Sequence, residues 1–187
     1  METRKETSTR VAYFDIESTG LDAEYGQLLC GVIGEHLTEN PTEPRLHTFE
    51  LEDFSGRRWE DLSLAVALRD ELEKYDLAIS YNGANFDVPF INTRLAEAGE
   101  RGMVLRRHKD LLYTCRGKLR LGSNRLARVT QFLFGETQKT SITPGVWRRA
   151  ICGRRKDYEY IIKHCQLDVI ELAKVWDRLK TVAGDLR

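Results

Sequence analysis

Apolar side chains recur mostly at a period of two near the start of this chain and at a period near 3.6 later on, and that change separates strands from helices. Val11 to Glu17, Gln27 to Glu35 and Leu46 to Leu51 read as three strands. The second carries Leu28, Leu29, Val32 and Ile33, and the third alternates Leu46, Thr48 and Glu50 against His47, Phe49 and Leu51. Gly26 and the cluster Asn40-Pro41-Thr42-Glu43-Pro44 mark the turns, so an antiparallel meander is expected. Leu62, Val66, Leu68, Leu72 and Tyr75 recur at helical spacing and predict a helix over Asp61 to Lys74, crossing over to a fourth strand at Leu77 to Tyr81. A further amphipathic helix runs from Val88 to Ala98 and stops at Gly99, a residue suited to a left-handed C-cap. The later half is helical in pattern: Asn124 to Phe134 closed by Gly135, a short piece over Val146 to Ile151, and a long helix from about Tyr158 to Val182. Strands first and helices later, with one crossover between them, predict a mixed α/β sandwich around a five-stranded or similar sheet.

The 187 residues fit one domain with a substantial core. Residues 1 to 10 carry almost no apolar side chain and read as a flexible leader, leaving 11 to 187 as the folded unit. Lysine plus arginine balances aspartate plus glutamate at 29 each, so binding of a polyanion must rest on local patches and not on a global field. Cys30, Cys115, Cys152 and Cys165 show no C-x-x-C spacing, and there is no secretory segment and no apolar run of the roughly 20 residues that cross a bilayer. A soluble, cytoplasmic protein with reduced thiols, and no membrane partner, is the expectation.

Against that neutral background, the placing of a few acids changes the picture. Asp15 and Glu17 stand two apart within an apolar run, so on a strand they share a face roughly 7 Å apart. Like charges beside a core raise each other's pKa unless a cation compensates, and hard divalent ions prefer such oxygen ligands. Asp87 follows the fourth strand, where ligand sites of α/β sheets gather, although an acid at a helix start also reads as a cap. Around it, Gly83 permits close approach, Asn82 offers donor and acceptor, and Phe86 and Phe90 could offer faces to bases, Phe90 being the one expected to pack inward. His164 and Asp168 stand one turn apart on the last helix, with apolar Leu167, Val169, Ile170, Leu172 and Ala173 around the acid. An imidazole, with an ordinary pKa of about 6.5, suits water activation near neutral pH. Two basic clusters, Arg116, Lys118, Arg120, Arg125 and Arg128, then Arg148, Arg149, Arg154, Arg155 and Lys156, fit a phosphate track leading to an acidic centre.

Phe14-Asp15-Ile16-Glu17-Ser18-Thr19-Gly20-Leu21, then Tyr81-Asn82-Gly83 through Phe86-Asp87, then His164 through Asp168, resemble in order the three exonuclease motifs of the DEDD superfamily. The chain looks most similar to the ribonuclease-H-like exonuclease domains related to the proofreading domain of family-B DNA polymerases. His108-Lys109-Asp110-Leu111-Leu112 fits the histidine, aspartate and leucines often found after the second motif there. The resemblance implies a ribonuclease-H-like fold, a central mixed sheet with three antiparallel leading strands flanked by helices. It also implies a metal-dependent 3′-5′ exonuclease acting on single-stranded DNA or RNA 3′ ends, as in DNA repair, with a separate polymerase or helicase as a possible partner. Asp15, Glu17, Asp87 and Asp168 would hold two divalent ions, Mg²⁺ or Mn²⁺, about 4 Å apart. Ser18, Thr19 and Gly20 would meet the terminal nucleotide, Leu21 would wedge against its base, and Asn82 and Phe86 would shape the pocket. His164 would accept or orient the water proton, but it departs from the pattern. A tyrosine base stands four positions before the last aspartate and a histidine base five, so His164 has the tyrosine spacing, with Lys163 at the histidine position and Tyr160 a turn further back. Two alternatives keep the same fold: a structure-selective endonuclease and a catalytically silent nucleic-acid-binding module.

Overall fold

A computed structural model describes residues 9–54, 60–138 and 141–183. Five strands make one sheet: β1 (Val11–Ser18), β2 (Leu28–Glu35), β3 (Arg45–Glu50), β4 (Leu77–Ser80) and β5 (His108–Asp110). Seven helices accompany them among the described residues: α1 (Leu51–Phe54), α2 (Leu62–Leu72), α3 (Asp87–Glu97), α4 (Leu111–Lys118), α5 (Leu126–Phe134), α6 (Pro144–Ile151) and α7 (Arg155–Leu179). The sheet order is β3-β2-β1-β4-β5. The three leading strands are antiparallel, and β4 and β5 run parallel to β1, as the expected mixed sheet requires.

Helices cover both faces of β2, and two glycines show how closely. A Cβ on Gly31 would stand 2.6 Å from the Leu68 side chain of α2, and one on Gly34 would stand 2.7 Å from Val169 of α7. Buried on both sides, β2 is apolar along most of its length, whereas β1 has Asp15 and Glu17 partly exposed on the α7 side. α7 is the main brace of that side: Tyr158 donates its hydroxyl to the Leu29 carbonyl and accepts the Leu51 N–H, while Gln166 donates to Thr48 Oγ1 at 3.0 Å.

Several boundaries differ from expectation. Leu51 opens α1 and does not close β3, because its backbone N–H turns inward to the Tyr158 hydroxyl. α7 starts at Arg155 and stops at Leu179, earlier at both ends than the apolar period suggests. Of the expected leader, residues 1–8 lie outside the described residues. Arg10 already belongs to the fold: its N–H donates to Asp76 at 2.9 Å and its guanidinium lies 4.7 Å from the Tyr75 ring centre. α3 and α5 end as predicted, with Gly99 and Gly135 at φ of 73° and 81°, where a side chain would be strained. The described cysteines are all free thiols, and no described helix is long and apolar enough to cross a membrane.

Candidate active site

Three parallel strands, β1, β4 and β5, end on the same side of the sheet, and their carboxyl ends deliver the acids. Asp15 and Glu17 lie on the β1 face covered by α7, paired with Val32 and Cys30 of β2. A bulge follows at once, between Glu17 and Ser18, and turns the strand into the β1–β2 hairpin. α7 passes over this end. Cys165 donates its thiol to the Asp15 carbonyl at 3.3 Å, which fixes the helix height so that His164 and Asp168 face the acids. His164 Nε2 stands 3.7 Å from Glu17 Oε1 and 3.8 Å from Asp168 Oδ2, with His164 and Asp168 both buried. One imidazole thus lies between two carboxylates. Tyr160, by contrast, donates its hydroxyl to the Ser141 carbonyl, and Lys163 is exposed.

Asp87 reaches the site from the other side. It opens α3, which packs on α2, and its Oδ1 accepts the Ile16 N–H at 3.0 Å, beyond the stretch where β4 pairs with β1. Burial, reinforced by the Asp110 and Asp168 carboxylates, pushes the Asp87 carboxyl up to about 7 despite the pull of the Ile16 and its own N–H groups. Among the described residues no three His, Cys, Asp or Glu side chains are gathered closely enough to enclose an ion. The chemistry of the set still suits a hard divalent cation: four carboxylates and one imidazole, with the pKa of one acid raised by a burial that a cation would offset.

The loop between β4 and α3 is shaped by Asp110. Its carboxylate accepts the N–H groups of Asn82 at 2.8 Å and Ala84 at 3.0 Å, and also caps α4 through Leu112 at 3.0 Å. This clamp holds Asn82 in the left-handed region at φ 70°. His108 supports the same loop, with Nε2 2.8 Å from Ser80 Oγ, and burial holds its pKa below the ordinary value. Gly83 is needed here for the protein itself: a Cβ would fall 2.4 Å from Ser80 Oγ, so its close approach is to Ser80 and not to a ligand. Phe86 lies part-buried with its ring 5.6 Å from that of Phe90, which is in the core as expected. On the hairpin, Ser18 donates its hydroxyl to the Gly20 carbonyl at 2.6 Å and Thr19 Oγ1 accepts the Gln27 N–H at 2.9 Å. Those two hydroxyls fasten the turn, and Leu21 beyond them is 84% exposed.

A cavity of about 940 Å³ opens on the acids. Asp15 and Asp168 line it together with Tyr81, Asn82, Arg116 and Arg125, and Ser123, Asn124 and Ser141 supply further polar wall. The Tyr81 hydroxyl donates to the Asn124 carbonyl at 2.6 Å and so ties the β4–α3 loop to the α4–α5 connection. The two basic clusters divide here. In the later one Arg149 and Arg154 bind Asp157, and Arg155 binds Glu50, Glu52 and Glu159, so these three cations clasp α6, α7 and β3 and do not form the expected phosphate track. Arg116, Lys118, Arg120, Arg125 and Arg128 have no carboxylate within ion-pair reach among the described residues. The wall residues Ser123, Asn124 and Ser141 carry no motif signal in the sequence, because loops bring them together.

No curated protein matches the sequence. Among solved structures, the chain is similar to the family B DNA polymerase from the hyperthermophilic archaeon Pyrobaculum calidifontis, with a TM-score of 0.69 at 17% identity. The likeness covers 96% of this chain but 25% of the polymerase, so the chain spans about a quarter of that protein's length, and at this identity it speaks for the fold. The sequence profile of the RNase_H superfamily matches residues 12–180, nearly the whole described chain, and the protein therefore belongs to the RNase_H superfamily with an RNase H-like α/β fold.

Proposed function

We infer that the protein is a metal-dependent nuclease that removes nucleotides from single-stranded 3′ ends of DNA or RNA. The observation that carries this reading is a single cavity lined at once by the Asp15 and Asp168 carboxylates and by the Arg116 and Arg125 guanidiniums. A phosphodiester chain needs cations along its phosphates, and the bond to be cut needs carboxylates that can hold metal. Asp15, Glu17, Asp87 and Asp168 would hold two divalent ions, Mg²⁺ or Mn²⁺. Bound there, the ions would polarise the phosphoryl oxygen and lower the pKa of an attacking water. His164, between Glu17 and Asp168, would accept or orient that water's proton. Arg116 and Arg125 would grip the flanking phosphates, Asn82 would present its amide to the terminal nucleotide, and exposed Leu21 would rest against its base. The similarity in fold to a family B DNA polymerase supports the exonuclease form of the reading, and a polymerase or helicase on another chain would supply the ends.

Four acids near one cavity repel a polyanion unless metal offsets them, which weighs against a silent binding module. Linear and covalently closed single strands of one sequence separate the readings. With Mn²⁺ the linear strand should be lost and the circle should persist. Cutting of the circle would mean an endonuclease, and binding of both with no loss of either would mean a silent module.

A further inference from the structure

A second groove adjoins the acidic cavity. It has a volume of about 620 Å³ and is lined by Arg120, Leu121, Arg128, Gln131 and Phe132, and it shares Gly122 and Ser123 with the first cavity as a common wall. We propose that this groove is a second nucleotide subsite, which takes the single-stranded polynucleotide segment leading away from the bond to be cut. The proposal deepens the nuclease reading and rests on it for the direction of the strand.

An exposed phenylalanine alone is ordinary, and Phe132, 65% exposed, argues for little by itself. What surrounds it is more specific. Arg120 and Arg128 are exposed and reach no carboxylate among the described residues, whereas Arg69, Arg94, Arg149 and Arg155 do. Arg128 donates to Gln131 Oε1 at 2.8 Å, and both line the groove together with Phe132. An aromatic face with two cations and an amide is the set that stacks a base and binds its phosphate without choosing a sequence. Helix geometry connects the two sites. Arg125 stands at the N-cap of α5, and Arg128 and Phe132 follow it three and seven residues on, so one end-to-end face runs about 10 Å from the acidic cavity outward. At Gly122, between the sites, a Cβ would meet nothing within 4 Å, so a strand can cross there against bare backbone. An acidic peptide would use the guanidiniums but would gain nothing comparable from the ring.

Binding of fluorescent thymidine and uridine octanucleotides, measured by anisotropy in EDTA, tests the subsite without turnover. Phe132→Ala and Arg128→Gln should each weaken octanucleotide binding about tenfold, and Arg128→Gln should lower the slope of log affinity against log salt by about one. Lys156→Gln, which removes an exposed cation from the other basic cluster, should change neither. Octanucleotide binding that is absent in the wild type, unchanged in Phe132→Ala, or equally weakened by Lys156→Gln would overturn the proposal. Hydrolysis of the nitrophenyl ester of thymidine 5′-phosphate in Mn²⁺ reads the catalytic assignment separately. Its absence beside Phe132-dependent strand binding would sink the nuclease and leave the subsite standing.

Discussion

His164 is held within 4 Å of two carboxylates, Glu17 and Asp168, by a helix whose height is set one residue later at Cys165. A substitution that keeps a hydrogen-bonding amide but removes the basic nitrogen isolates its part in proton transfer. His164→Gln should lower kcat by about a hundredfold with little change in KM, and steady-state kinetics on a labelled oligonucleotide would check it. Wild-type kcat in that variant would remove the imidazole from the chemistry. Arginines tell a parallel story, since ten basic residues of similar sequence character divide by their partners. Arg116→Gln should raise KM for single strands several-fold and lower the salt slope by about one, because it faces the acidic cavity. Arg155→Gln should leave KM unchanged, since that side chain is taken up by Glu50, Glu52 and Glu159. Equal effects of the two would show that general charge governs binding. Sequence alone groups such cations by proximity along the chain, and cannot see carboxylates that arrive from over 100 positions away, as Glu50 and Glu52 do.

Elements carry the next level of control. The hairpin between β1 and β2 projects Leu21 toward solvent, and it is fastened from behind by a buried ion pair. Asp61 is 1% exposed and accepts from Arg94 at 2.9 Å and from the Leu28 N–H at 2.7 Å, while Arg94 also donates to the Ala23 carbonyl at 3.3 Å. Replacing Arg94 by Met would leave a buried carboxylate without its cation, at a cost of about 3–5 kcal/mol, measurable by urea unfolding. A loss under 1 kcal/mol would mean that the pair does not hold the hairpin. The long amphipathic helices and the meander were legible because their apolar positions repeat. β5 was not: its residues, His108-Lys109-Asp110, are all polar, and its three-residue pairing with β4 is a tertiary event. α4 could have been found, since Asp110 before Leu111, Leu112 and Cys115 is an N-cap followed by an apolar stripe. Asp110 itself shows most in the structure, where it sets the Asn82 loop.

At the scale of the whole molecule, the sheet explains why acids distant in sequence meet. Parallel β1, β4 and β5 end together, and α7 returns over β1 to add Asp168 to Asp15 and Glu17. Order and spacing of the acids could be read from the chain, but the engagement of Asp87 with the Ile16 N–H and the wall contributed by the α4–α5 connection depend on folding. We propose that these carboxylates serve metal-dependent hydrolysis from a 3′ end. The most direct measurement is product laddering from 5′-labelled single-stranded DNA and RNA of one sequence, with Mg²⁺, Mn²⁺ or EDTA, beside Asp15→Ala. Stepwise shortening of at least one polymer should stop in EDTA and fall at least a hundredfold in the variant. Shortening that persists in EDTA or in well-purified Asp15→Ala, or no shortening of either polymer with either metal, would take these carboxylates out of 3′-end hydrolysis.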